Sequence, residues 1–158
     1  MRIQDIIPPE AVVDGLRAET KEGVLRELSE AVCRRLPALS PTRLTAVLMD
    51  REGLGSTGIG EGVAIPHGKT RLLDHLVAAC GVSPGGMEFD SMDGEPAYLF
   101  ILLVSPESLR GPHVKALANI SRLLKEESVR LGLRQSRTPQ EFLSLLREAE
   151  SRYLHAPA

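Results

Sequence analysis

Apolar positions recur along this chain with two periods. After Thr20, a residue suited to cap a helix, Val24, Leu25, Leu28, Val32 and Leu36 follow at three- and four-residue spacing until Pro37, which predicts one amphipathic helix. A second helix is punctuated by Ser40 as N-cap and Pro41 at its first position, with Leu44, Val47 and Leu48 on one side, Arg51 in the last turn and Gly53 just past the end. Gly111 and Pro112 open a third, with His113 in its first turn and Val114, Leu117, Ala118, Ser121 and Leu124 as its stripe. A short helix is expected around Val129 to Leu133. The last helix starts at a capping box, Thr138 with Glu141, and buries Phe142, Leu143, Leu145 and Leu146. Between the helices, Ala11 to Leu16, Val63 to Ile65, Leu76 to Val82 and Ala97 to Val104 read as strands. The last is apolar at every position, as a central strand covered on both faces should be. Ser83 to Pro96 is turn-rich and reads as an acidic loop or hairpin. The expected fold is α/β, a single-domain sandwich over residues 1–158 with a central mixed β-sheet flanked by helices.

Composition narrows the function. With 158 residues, 42% of them apolar, the chain can bury a core without disulfides or a structural metal. The eight apolar residues from Ala97 to Val104 are the longest such run and fall far short of a membrane span. No secretory leader is expected, and Cys33 and Cys80, in no CxxC pattern, read as reduced thiols, so the chain is placed in the cytoplasm. Five aromatics, no Trp and a net charge of −2 leave no stacking platform and no general attraction for nucleic acid.

Candidate chemistry concentrates between Gly53 and Gly68, which hold six of the 14 glycines, a density that a flexible backbone or the close approach of a ligand would explain. His67 follows a short strand and Pro66 and precedes Gly68. An imidazole so exposed can act as nucleophile, general base or metal ligand. A P-loop does not fit, because counting back from Gly68-Lys69-Thr70 puts Val63 where its first glycine is required. Gly58-Ile59-Gly60-Glu61-Gly62 lacks dinucleotide-binding spacing, and His67, His75, His113 and His155 show no paired spacing of metal ligands. No metal or cofactor is expected.

The stretch Asp50-Arg51-Glu52-Gly53-Leu54-Gly55-Ser56-Thr57-Gly58-Ile59-Gly60-Glu61-Gly62-Val63-Ala64-Ile65-Pro66-His67-Gly68 resembles the active-site signature of the type 2 EIIA domains of the bacterial phosphoenolpyruvate-dependent phosphotransferase system, the fructose, mannitol and nitrogen-regulatory class. The likeness continues through Phe89-Asp90-Ser91-Met92-Asp93-Gly94-Glu95-Pro96 to His113 and covers about residues 5–150. It implies a phosphohistidine carrier. His67 would accept a phosphoryl group from HPr, or a nitrogen-branch paralogue of HPr, and pass it to an EIIB cysteine in sugar uptake. The same carrier could instead serve as a nitrogen-regulatory EIIA. The alternative reading is a regulatory module whose binding to target proteins depends on its phosphorylation state. It also implies His113 as a neighbour of the phosphate and Arg51 as a contact to it. A freestanding EIIA, with no fused EIIB or membrane segment, is expected.

These assignments suit the chemistry of phosphoryl transfer, which needs an in-line nucleophile and neutralised equatorial oxygens. Arg51 can fork onto oxygens as a permanent cation, and a helix first turn, where His113 lies, favours an anion. Ser56 and Thr57 are candidate hydroxyl donors, Glu61 reads as an exposed charge, and His75 and His155 fall outside the pattern. Residues 81–109 hold five acids and no base, whereas 110–137 hold seven bases and two acids, an asymmetry suited to oriented encounter with charged partner proteins.

Overall fold

The computed structural model describes residues 2–154, so His155 lies outside the described residues. Two short 3-10 turns, Ile3–Ile6 and Pro9–Ala11, lead into β1 (Val12–Val13). Then come α1 (Lys21–Cys33), α2 (Pro41–Gly53), β2 (Gly58–Gly60), β3 (Val63–Ala64), β4 (His67–Thr70), β5 (Val77–Met87), β6 (Ala97–Pro106), α3 (Arg110–Leu123), α4 (Glu127–Gln135) and α5 (Pro139–Tyr153). The expected α/β fold with a central mixed sheet is the one observed. The strands run β1-β5-β6-β3-β2, and β4 also pairs β6. Pairing is parallel for β1·β5, β3·β6 and β4·β6, and antiparallel for β5·β6 and β2·β3. Among the described residues no helix is long and apolar enough to cross a membrane.

β6 is the spine. Its side chains alternate between two cores, as the two-residue period of a strand requires. Leu99, Ile101 and Leu103 face Ile120, Leu123, Leu133, Phe142 and Leu146 of α3, α4 and α5. Phe100, Leu102 and Val104 face Leu25, Leu28, Leu44 and Leu48 of α1 and α2. Three of the helix starts behave as their sequences predict: the side chains of Thr20, Ser40 and Thr138 accept the N–H of Gly23, Arg43 and Glu141. The capping box is only half formed, because the Glu141 carboxylate receives the Arg137 N–H instead of that of Thr138.

Several boundaries differ from expectation. α1 stops at Cys33, and Leu36 lies in the following turn, its N–H on the Cys33 carbonyl. β1 is two residues long because the chain bends at Asp14-Gly15 before Leu16 rejoins Val82 through a backbone bond. β5 runs on through Ser83-Pro84-Gly85-Gly86 to Met87, where a loop was expected. A bulge absorbs these residues, and Gly86, at φ +74°, leaves room for the Tyr98 ring, which a Cβ would meet at 2.6 Å.

Candidate functional site

The segment that carries His67, expected only to follow the short strand Val63 to Ile65, is itself a strand. β3 and β4 pair β6 in one continuous register (Val63 opposite Leu99, His67 opposite Leu103), interrupted at Ile65-Pro66, where proline has no N–H to offer the ladder. Alternation then fixes the faces. Val63 and Ile65 point into the core under α3, and His67 and Lys69 continue that row, whereas Ala64 and Gly68 face α2. A Cβ on Gly68 would lie 3.1 Å from Val47 Cγ1 and 3.3 Å from Leu48 Cδ2, so glycine lets α2 pack close beside the histidine. Arg51 sits one turn further along the same side of α2.

His113 reaches the site from the other side. The observed buried stripe of α3 is His113, Ala116, Ile120 and Leu123; Val114, expected to be buried, is 64% exposed. A stripe that leaves out His113 therefore runs out of phase, because the true one contains that histidine. The helix starts at Arg110, one residue before the expected Gly111, and the His113 N–H is spent on the Leu109 carbonyl. The N–H groups without intrahelical partners at this end are those of Arg110 and Gly111.

The two imidazoles lie with ring centroids 5.6 Å apart at an interplanar angle of 57°. His67 Nδ1 is 2.8 Å from the carbonyl oxygen of Ile65. A carbonyl can only accept, so Nδ1 carries the hydrogen and Nε2 keeps its lone pair. His113 Nδ1 is 2.6 Å from the hydroxyl of the fully buried Ser105, which stands opposite Lys69 in the sheet. Burial pushes His67 below the ordinary histidine pKa; the Ile65 carbonyl and Glu52 pull it up, and Arg51 and Lys69 push it further down. His113 is pushed down to about 4 by burial first and then by His67 and Lys69. Both rings are thus neutral at pH 7, with Arg51 and Lys69 as cations close enough to be felt.

Other expected members take different places. Arg51 donates to the Gly55 carbonyl at 2.9 Å, closing the end of α2. The Ser56 hydroxyl donates to the Phe89 carbonyl at 2.7 Å and accepts the Gly58 N–H. That of Thr57 is given to the Glu52 carboxylate in a buried bond. Both hydroxyl hydrogens therefore hold the glycine-rich segment, and neither is turned outward as a donor. The glycines meet the chain itself: a Cβ on Gly58 would strike Ser91, and one on Gly60 would lie 3.1 Å from the Asp93 carboxylate. His75 is exposed and paired with Asp74, outside this group. Two charged neighbours, Glu52 and Lys69, escaped the sequence reading. The signal for Lys69 was alternation with His67, which becomes legible only once β4 is known to be a strand. Among the described residues no group of three His, Cys, Asp or Glu side chains is arranged to hold a metal ion.

Residues 5–149 match the family described as "Phosphoenolpyruvate-dependent sugar phosphotransferase system, EIIA 2". A nitrogen regulatory protein of Bradyrhizobium diazoefficiens is 39% identical over 146 residues, covering 92% of this chain and 95% of the relative. The crystal structure of the nitrogen regulatory protein IIA-Ntr of Neisseria meningitidis superposes with a TM-score of 0.85 at 30% identity, covering 91% of this chain and 98% of that one. The mannitol enzyme IIA of Escherichia coli, solved in complex with its phosphorylated enzyme IIB, matches with a TM-score of 0.73 at 25% identity, covering 88% and 95%.

Proposed function

Since the chain belongs to the type 2 EIIA family of the phosphoenolpyruvate-dependent phosphotransferase system, we propose that its phosphoryl acceptor is Nε2 of His67. The observation that carries this reading is the bond from His67 Nδ1 to the Ile65 carbonyl, which leaves Nε2 as the nucleophile of a neutral ring. The donor is phosphorylated HPr or a nitrogen-branch paralogue of it, and the reaction takes place in the cytoplasm. The Nε2 lone pair forms the new P–N bond, and the electrons of the old P–N bond stay on the donor's imidazole nitrogen. Nδ1 keeps its hydrogen, donated to the Ile65 carbonyl throughout. In the second half-reaction an EIIB thiolate attacks phosphorus, and the P–N electrons return to Nε2.

Arg51 and Lys69 supply the positive charge that the equatorial oxygens need as they pass between partners. His113, held neutral by burial and by the neighbouring His67 and Lys69, limits where the phosphoryl group can lie. Leu54, three residues beyond Arg51, is 86% exposed, and Val114, beside His113, is 64% exposed, so protein partners have apolar surface to grip. The match to the Bradyrhizobium protein, named a nitrogen regulatory protein, favours a second use of the same site: binding of a target protein governed by whether His67 is phosphorylated.

Incubation with phosphoenolpyruvate, Enzyme I and HPr tests the assignment by intact mass. One acid-labile, base-stable phosphoryl group should appear, and it should be absent from His67→Ala. A group retained by that variant would move the acceptor elsewhere.

A further inference from the structure

A site that must hold a phosphoryl group also has a buried carboxylate in its wall. Glu52, in the last turn of α2, has a side chain only 3% exposed, and it accepts the N–H of Thr57 at 3.1 Å and the Thr57 hydroxyl. Lys21, the first residue of α1, stands 3.1 Å from the same carboxylate and 3.2 Å from Asp90, and lies 4.7 Å over the centre of the Phe89 ring. Four segments meet at this one acid: α1, the end of α2, the glycine-rich segment and the 88–95 segment. The adjacent residue Arg51 is the cation assigned to the phosphate.

Glu52 stands one turn beyond Leu48, whose Cδ2 would lie 3.3 Å from a Cβ on Gly68, the neighbour of His67, and from there it raises the basicity of the ring against Arg51 and Lys69. The charged or titratable groups that touch Glu52 or act on His67 and His113 are Lys21 from α1, Asp90 behind Lys21, Arg51 on α2, Lys69 on β4 and the two histidines themselves. Arg51 and Lys69 favour the incoming phosphoryl group, and Glu52 opposes it. For a carrier that opposition is useful, because a phosphoryl group held too tightly is not passed on.

We propose that Glu52 is a positioning residue that sets the phosphoryl-transfer potential of His67: clamped by Thr57 and Lys21, it holds one negative charge against the phosphorylated ring and keeps the group transferable. This rests on His67 as the acceptor. Phosphorylation brings in more negative charge than the ring gains in positive charge, so the repulsion falls mainly on the phosphorylated form.

Two substitutions predict opposite signs. Glu52→Gln removes the charge and should shift the equilibrium with phosphorylated HPr toward phosphorylated His67 by about tenfold, while lowering the His67 pKa in an NMR titration. Lys21→Gln, at a side chain still 18% exposed, keeps every Glu52–Thr57 bond and leaves the carboxylate less neutralised. It should shift the equilibrium toward the unphosphorylated protein and raise the His67 pKa. A purely structural role predicts slower transfer in both directions with no gain in the phosphorylated fraction. Either folded variant decides the matter alone, and an unchanged equilibrium or a shift of the other sign overturns the proposal. The His67 titration needs no phosphorylation. A wild-type protein that takes no phosphoryl group on His67 would defeat the carrier reading, whereas variants that titrate and equilibrate like wild type would defeat only the role of Glu52.

Discussion

Acidification should destabilise the fold through His113 well before the carboxylates titrate. His113 is buried, 5% exposed, and its pKa stands at about 4 against about 6.5 for a free imidazole. As pH falls below 6.5 the unfolded chain takes up the proton first, so stability is lost from there down to about pH 4 and then levels off. The full separation corresponds to about 3 kcal/mol, and solvent screening at the open side of the site brings the expected loss nearer to about 1–2 kcal/mol. His67 is shifted in the same direction, so it adds to the slope. Asp93, held low by the N–H groups of Glu95 and Glu61, acts only below its ordinary range, outside this window. Replacing His113 with Asn keeps a polar atom near the position of Nδ1, within reach of Ser105, and removes the titration. Urea denaturation of both proteins at pH 7, 6, 5 and 4.5 is the assay. The wild type should lose about 1–2 kcal/mol more than His113→Asn across that range. Parallel pH slopes would mean that His113 titrates normally, and the site would then not hold it neutral.

Arg51→Ala should lower the rate of transfer from phosphorylated HPr on the order of 10²-fold. Its stability should change by less than about 1 kcal/mol, since only the bond to the Gly55 carbonyl is lost, and Arg51→Lys should recover part of the rate; single-turnover kinetics and thermal melts check this. Lys69→Gln should slow transfer while leaving the melting temperature within a degree or two, because its side chain is exposed and acts through its charge. Gly68→Ala should destabilise by about 1–2 kcal/mol, because Val47 and Leu48 must give way, and should also slow transfer as α2 moves Arg51 off the strand; wild-type behaviour in both assays would show that α2 is not what positions Arg51.

What the sequence revealed and what it hid follow from the range of the forces involved. N-caps are local, so Thr20, Ser40 and Thr138 were readable directly, and an uninterrupted apolar run marked β6 as the central strand. β4 was hidden because Pro66, Gly68 and Lys69 carry loop chemistry; only its pairing with β6, over thirty residues away, makes it a strand. The phase of α3 was hidden because a histidine lies on its buried stripe, and a histidine does not read as apolar. The glycine-rich run signalled close approach but not of what, and the approaching groups are Ser91 and Asp93 of the same chain. His67 stood out from its setting between Pro66 and Gly68, whereas His113 and Arg51 were named through resemblance to a family. Glu52 is the clearest omission, since nothing in Asp50-Arg51-Glu52 distinguishes an exposed acid at a helix end from one buried between Lys21 and Thr57.

The central claim, that Nε2 of His67 is the acceptor because Nδ1 is tied to the Ile65 carbonyl, is tested most directly by NMR on the phosphorylated protein with ¹⁵N-labelled histidine. The ³¹P nucleus should couple to Nε2 of His67, and Nδ1 should keep its hydrogen. Phosphorus coupled to Nδ1 of His67, or to either nitrogen of His113, would contradict it.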